Sequence, residues 1–225
     1  MADFPFDIVG FDLDGTLVDT SPDLTSAVDH ALAAAGRAPL TMEQVRPMIG
    51  GGAKNMLRHA LDATGGVDEA EFKRLYRLLL SHYEANISVG STPFPGALDA
   101  LDALAARGVK LAVVTNKFER LAQKLLTEIG LRPRFATLIG GDTMGKGNAK
   151  PSAAPIDEMV ARLGGGRAAF VGDSIYDTGA ARNAGVPSVA VSFGFLTGPV
   201  EELAADAVID RYADLLPTLE RLGTA

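Results

Sequence analysis

The chain has 225 residues, 47% of them hydrophobic, with 21 Lys and Arg against 28 Asp and Glu, a formal charge of −7 and no cysteine. This is enough for one large domain, or one domain with a small insert. It excludes disulfides, thiolate metal sites and a cysteine nucleophile, and it shows no basic stripe of the kind that a nucleic-acid binder needs.

In chain order, the apolar run 8–11 reads as a buried strand. It ends in Asp12-Leu13-Asp14-Gly15-Thr16, where strands of open sheets deliver catalytic groups. Residues from about Asp19 to Tyr83 then read as helices: Pro22 to Gly36, a short one over Met42 to Arg46, Lys54 to Ala63, and Glu69 to Ala85. A plain crossover would not need this much chain. The division expected is an α/β core of residues 1–18 and 86–225 with a small helical domain, 19–85, inserted after the first strand. Its place beside the two aspartates makes it a candidate lid.

The remaining runs, 109–114, 137–139, 168–171, 188–191 and 207–209, alternate with helical patterns over 97–106, 120–129, 152–163 and 177–184. Repeated strand–helix units predict a doubly covered, open parallel sheet of the Rossmann-like α/β class. The glycine-rich stretch 140–148 lacks the hydroxyl that a phosphate loop places after its lysine, and reads as a surface loop. Three scattered histidines, His30, His59 and His82, have no zinc-site spacing. The amino end has no basic region or long apolar run, and no segment reaches about 18 apolar residues, so cytoplasmic residence and no membrane contact are expected.

Four positions at strand ends carry chemistry. Asp12 and Asp14 would share one side of an extended chain, so one can attack while the other transfers a proton. Two buried carboxylates this close call for a divalent cation. Thr115-Asn116 ends the second long strand; these groups either donate to phosphoryl oxygens or cap the next helix. Lys150 precedes Pro151 and is thereby held extended, with Pro151 expected in the first turn of the next helix. Asp173 and Asp177, in Gly172-Asp173-Ser174-Ile175-Tyr176-Asp177, stand four apart at a helix start. Asp12, Asp173 and the backbone carbonyl of Asp14 would make an oxygen-rich magnesium site.

At these residues the chain resembles the haloacid dehalogenase superfamily, in its phosphatase branch. The resemblance implies Asp12 as nucleophile forming an aspartyl-phosphate, and Asp14 as general acid and then base. It also implies that Thr115 and Lys150 hold the phosphoryl group, that Asn116 orients the substrate or nucleophile, and that Thr16 supports the turn. Magnesium would be held by Asp12, Asp14 and Asp173, with Asp177 in support. The helical insert resembles the superfamily's cap. Within the superfamily, Val18-Asp19-Thr20, Gly50-Gly51-Gly52, Thr115-Asn116-Lys117 and 181–187 resemble the phosphoglycolate phosphatase group.

That implies a small phosphorylated metabolite as substrate, with no nucleic-acid or membrane partner, and a monomer or homodimer. Gly51, Lys54, Arg58 and Lys117 are the expected substrate contacts, Lys54 and Arg58 facing the cleft together at helix spacing. The rivals are a broad sugar or nucleotide phosphatase, a pyrophosphatase, a sugar-phosphate mutase using a cap histidine such as His30, and a catalytically idle binding module.

Overall fold

The computed structural model describes residues 4–224; Met1, Ala2, Asp3 and Ala225 lie outside them. In chain order the strands are β1 (Ile8–Phe11), β2 (Val18–Asp19), β3 (Thr92–Pro93), β4 (Lys110–Val114), β5 (Thr137–Ile139), β6 (Ala168–Gly172), β7 (Ser188–Val191) and β8 (Ala207–Ile209). The helices are α1 (Ser21–Ala34), α2 (Met42–Val45), α3 (Ala53–Ala63), α4 (Glu69–Ala85), α5 (Ala97–Ala105), α6 (Glu119–Glu128), α7 (Ala154–Arg162), α8 (Ile175–Ala184) and α9 (Leu215–Gly223).

Six strands form one parallel sheet in the order β5-β4-β1-β6-β7-β8. This is the Rossmann-like α/β architecture expected, and β1 lies at its topological switch. The chain winds outward from β1 through β4 to β5, then returns to β6 on the other side. Ligands of such sheets bind in the crevice at this switch, outside the carboxyl ends of the strands.

Alternation along β1 assigns side chains to two cores. Ile8 points with Ala112, Val114 and Phe170 into a core closed by Ile156 and Met159 of α7 and Ala180 and Ala181 of α8. Val9 and Phe11 point the other way, with Leu111, Val113, Ala169 and Val171, toward Leu101 of α5, Leu125 of α6 and Leu219 of α9. Burial on both faces explains why the strands read as unbroken apolar runs.

Helices α1 to α4 follow β2 and lead into β3. Leu24, Ala27, Val28, Ala31 and Leu32 of α1 pack against α4, which buries Phe72, Leu75, Leu79 and Tyr83. The two passages between these helices and the sheet pair as an antiparallel ribbon, Val18 with Pro93 and Asp19 with Thr92. Asp23, in the first turn of α1, binds the return passage: Gly90 N and Ser91 N donate to it at 2.9 Å each, and Ser91 Oγ at 2.6 Å.

Three features depart from the sequence reading. β2 and β3 are only two residues long, too short for any periodicity to mark them. The chain closes with a helix, α9, that the sequence reading did not include. Pro151 is not in the first turn of α7: the helix opens at Ala154, with Pro155 in its first turn. Ser152 instead completes a separate turn, its N–H donating to Ala149 O at 3.0 Å and its hydroxyl accepting from Ala154 N at 3.2 Å.

The stretch after β5 is also more than a surface loop. Asp142 Oδ1 accepts the N–H of Glu119 at 2.8 Å and caps α6, and Gly141 N donates to Lys117 O at 2.8 Å. Gly140 lies so close to α6 that a Cβ there would fall 2.3 Å from Glu119 N and 2.4 Å from its Cα, both backbone atoms. Gly140→Ala is therefore expected to destabilise the protein by about 1–3 kcal/mol through overpacking. Urea unfolding measures it; an unchanged midpoint would show that α6 shifts freely.

Candidate active site

Asp12 follows β1, Thr115 follows β4 and Asp173 follows β6, so three adjacent strands present them at one edge of the sheet. Backbone hydrogen bonds extend the sheet to these residues: Asp12 N to Val171 O, and Thr115 N to Ile139 O, each 2.9 Å. The fourth contributor is Lys150, on the connection between β5 and α7.

Asp12, Asp173 and Asp177 each offer a carboxylate oxygen, and these oxygens lie within 4.8 Å of one another. All three residues are buried, as is Lys150. The Lys150 ammonium donates to Asp177 Oδ1 at 2.6 Å and to Val114 O at 2.8 Å. It also lies 2.9 Å from Asp12 Oδ1 as a charge contact, without the geometry of a hydrogen bond, so that oxygen has no hydrogen-bond partner.

Both oxygens of the other two carboxylates already accept hydrogen bonds or hold Lys150. Asp173 accepts from Thr16 Oγ1 at 3.1 Å and from Phe195 N at 2.6 Å. Asp177 Oδ2 accepts from the N–H groups of Asp173 and Ser174 and from the Ser174 hydroxyl, so Asp177 caps α8 while its other oxygen holds Lys150.

Burial drives the electrostatics. It pushes the Asp12 carboxyl up to about 6, against the opposing pull of Lys150. Burial, with the charges of Asp177 and Asp12, raises Asp173 well above the usual carboxylate range. Burial alone would lower the Lys150 ammonium, but Asp12 and Asp177 more than reverse it and hold it charged. Three carboxylates around one ammonium leave the pocket two charges short of neutrality. The orphaned Asp12 oxygen and this charge deficit fit a divalent cation held by oxygen ligands. Asp12 and Asp173 are the residues placed to hold it, and Asp177 supports them through Lys150 and the α8 cap.

The carboxylate of Asp14 is not in this group. Both of its oxygens accept from Lys117 Nζ at 2.7 Å, and Oδ1 also accepts from the Thr20 hydroxyl at 2.7 Å. Thr20 is the N-cap residue of α1, yet its side chain makes no cap bond. Lys117 is buried, and its Nζ lies 4.7 Å from the ring centroid of Tyr83 on α4. Burial would lower the lysine, but Asp14 and Tyr83 outweigh it and raise it.

A cavity of about 280 Å³ opens over these groups. Asp12, Asp14, Thr115, Asn116 and Lys117 line its sheet side, and Gly50, Gly51, Gly52 and Lys54 its helical side. Leu24, Met56, Tyr76, Leu79 and Leu121 make the rest of the wall largely apolar. Gly52 starts α3 at φ 84°, a left-handed conformation that suits glycine, and no side chain caps this helix end.

Of the other residues expected at the site, Thr16 is buried, its hydroxyl committed to Asp173 rather than open to a ligand. Thr115 Oγ1 accepts from Lys117 N at 3.2 Å and keeps its proton free. Asn116 does not cap α6, a task that falls to Asp142. Its amide donates to Gly50 O at 3.1 Å and Lys150 O at 3.2 Å, tying the helical insert to the lysine loop. Arg58 is not brought to the cavity. Although four residues from Lys54, it binds Glu69 Oε2 at 2.9 Å and sits 3.7 Å from the Phe72 ring centroid, both on α4. Tyr83 and Thr20 were missed from sequence, where one is an aromatic at a core spacing and the other a helix cap.

The family described as haloacid dehalogenase-like hydrolase matches residues 9–191. The phosphoglycolate phosphatase of Agrobacterium fabrum is 45% identical over 93% of this chain and 90% of its own length. That of Caulobacter vibrioides is 42% identical over 92% of this chain and 88% of its own. A crystal structure described as a predicted phosphoglycolate phosphatase from Haemophilus somnus superposes with a TM-score of 0.88 at 33% identity, covering 95% of this chain and 98% of that one.

A cation entering this site must displace the protons that burial favours on Asp12 and Asp173. Affinity for a divalent cation is expected to fall as the pH drops through about 6, where Asp12 takes up its proton, by roughly tenfold per pH unit for that proton, and the raised Asp173 steepens the fall. Calorimetric titration with Mn2+ between pH 5 and 8 measures this. Constant affinity across that range would show that the site binds no metal through these carboxylates.

Proposed function

Because the chain belongs to the haloacid dehalogenase-like hydrolase family and is a phosphatase, we propose that it hydrolyses 2-phosphoglycolate to glycolate and phosphate through an aspartyl-phosphate on Asp12, with magnesium as its metal. The observation that carries this reading is Asp12 Oδ1, a buried carboxylate oxygen beside an ammonium but without a hydrogen-bond donor. A structural carboxylate at this depth would be satisfied. A nucleophile must keep a lone pair available.

The residues divide the reaction as follows. Asp12 attacks phosphorus, forming the phosphorus–carboxylate bond as the ester bond to the alcohol breaks. Asp14, having taken up a proton from solvent, passes it to the departing oxygen. It then takes a proton from water, which attacks phosphorus and returns Asp12 to its free form. Phosphoryl transfer asks mainly for alignment and charge compensation. Lys150 and the Thr115 hydroxyl supply part of that compensation. Magnesium, bound by Asp12 and Asp173, would neutralise further charge on the phosphoryl oxygens. The apolar walls keep water from the reacting centre and strengthen each of these interactions.

The substrate assignment rests on the relatives' names and on the second half of the cavity. A phosphate held at the sheet edge leaves the alcohol arm facing Lys117, Lys54 and the uncapped start of α3. Cations and helix-start N–H groups suit a carboxylate on that arm. A mutase is less well served, because no histidine lines this cavity and His30 stacks on His82, ring centroids 4.4 Å apart, away from it. In this reading residues 19–85 act as the closing cap over the core. Cytoplasmic residence, as a monomer or homodimer, completes it.

A panel of phosphoglycolate, glucose 1-phosphate, glucose 6-phosphate, a nucleoside monophosphate, phosphoserine and pyrophosphate tests the assignment. Phosphoglycolate is expected to lead in kcat/KM by about tenfold or more. Equal rates would leave a generalist phosphatase. Asp12→Asn is expected to abolish both turnover and the protein-bound phosphate trapped by acid quench; retained turnover would overturn the covalent route.

A further inference from the structure

The Asp14–Lys117 ion pair raises a chemical difficulty. The group that must serve the leaving oxygen is held by both of its oxygens on a buried ammonium, with a third bond from Thr20. Lys117 is itself anchored through its backbone, donating to Thr115 Oγ1 and accepting from Gly141 N, so only its side chain is free to change partners. Beside its Nζ stands Tyr83, 2% exposed, whose hydroxyl has no partner. Both residues line the cavity that receives the alcohol arm. A buried hydroxyl left unpaired at a ligand cavity points to a ligand acceptor.

We propose that Lys117 is a releasable clamp on Asp14, and that the anionic alcohol arm of the substrate opens it by replacing Asp14 on the Lys117 ammonium and accepting a hydrogen bond from Tyr83. The inference rests on the phosphoglycolate reading and adds the means of selectivity to it. A carboxylate arm exchanges one anion for another, so the buried ammonium is never left unpaired, which would be strongly unfavourable. Asp14 keeps its bond from Thr20 and gains freedom to meet the leaving oxygen. An ester with a neutral arm can place its phosphoryl group at Lys150 but cannot free Asp14. Selectivity then resides in kcat as well as in KM. Lys117 acts as a positioning residue for Asp14 and a specificity residue for the arm.

The test compares phosphoglycolate with propyl phosphate, which lacks the carboxylate, at saturating magnesium in the wild type, Lys117→Met and Tyr83→Phe. In the wild type phosphoglycolate is expected to lead by about a hundredfold, largely in kcat. In Lys117→Met the lead is expected to shrink to within about threefold, with kcat for propyl phosphate rising as Asp14 is released and KM for phosphoglycolate rising. Tyr83→Phe, which removes only a hydroxyl, is expected to cut the lead by about three- to tenfold. It decides the matter if Lys117→Met does not fold. Loss of both activities by one common factor in the variants, with the wild-type lead intact, would overturn the clamp and leave the substrate assignment standing. A wild type without the lead would overturn the assignment, and the clamp with it.

Discussion

The ammonium of Lys150 holds the active-site edge of the sheet together. It touches Asp12 from β1, the last carbonyl of β4, and Asp177 from the start of α8. Its own carbonyl is held by Asn116. One cation thus joins the ends of β1 and β4 and the start of α8 to the loop that carries it. Without it, three buried carboxylates would face one another at close range with no cation between them. The sheet supplies position and this ion cluster supplies the reason for those acidic residues to stay there.

A second buried lysine stands a few residues from the first strand-end hydroxyl and serves a different purpose. Lys150 is surrounded by groups of the strand ends and of the α8 start that follows β6. Lys117 pairs with Asp14 from the sheet, lies against Tyr83 from the helical insert, and shares Asp14 with Thr20 at the junction between the two. The first arrangement is fixed by several simultaneous bonds. The second spans elements that are connected by a two-stranded ribbon, by polar contacts such as Asp23 with Gly90 and Ser91, and by a shared apolar cluster. The site therefore has one half built on the strand ends and the lysine loop, and another half whose contacts cross between the sheet and the helical insert.

The strand-end half was legible in the sequence because its signals are local. An apolar run followed at once by Asp12, Thr115 or Asp173 states both the strand and its end, and sheet topology brings such ends together. The other half was much less legible. Lys117 and Lys54 reach the cavity, but Arg58, which helix spacing places beside Lys54, is claimed by Glu69 and Phe72 of a neighbouring helix. Periodicity within α3 cannot report a partner on α4. Tyr83 falls at a core spacing on α4 and has the pattern of any buried aromatic; only its unpaired hydroxyl sets it apart. The ribbon strands leave no pattern at two residues each, and Asp142 caps a helix that begins 23 positions earlier.

The turn after β1 depends on the far end of the chain. The Tyr212 hydroxyl donates to Thr16 O at 2.8 Å, and its ring packs beside Phe193, which in turn meets Phe94 just past the returning ribbon. Tyr212 is buried, 196 positions beyond the residue it supports. The turn after β1 gains this support only once the chain extends through Tyr212. A chain cut short before Tyr212 leaves the Thr16 carbonyl without that donor. The cost of such a loss falls on the turn after β1, far from the cut in sequence and next to the cut segment in space.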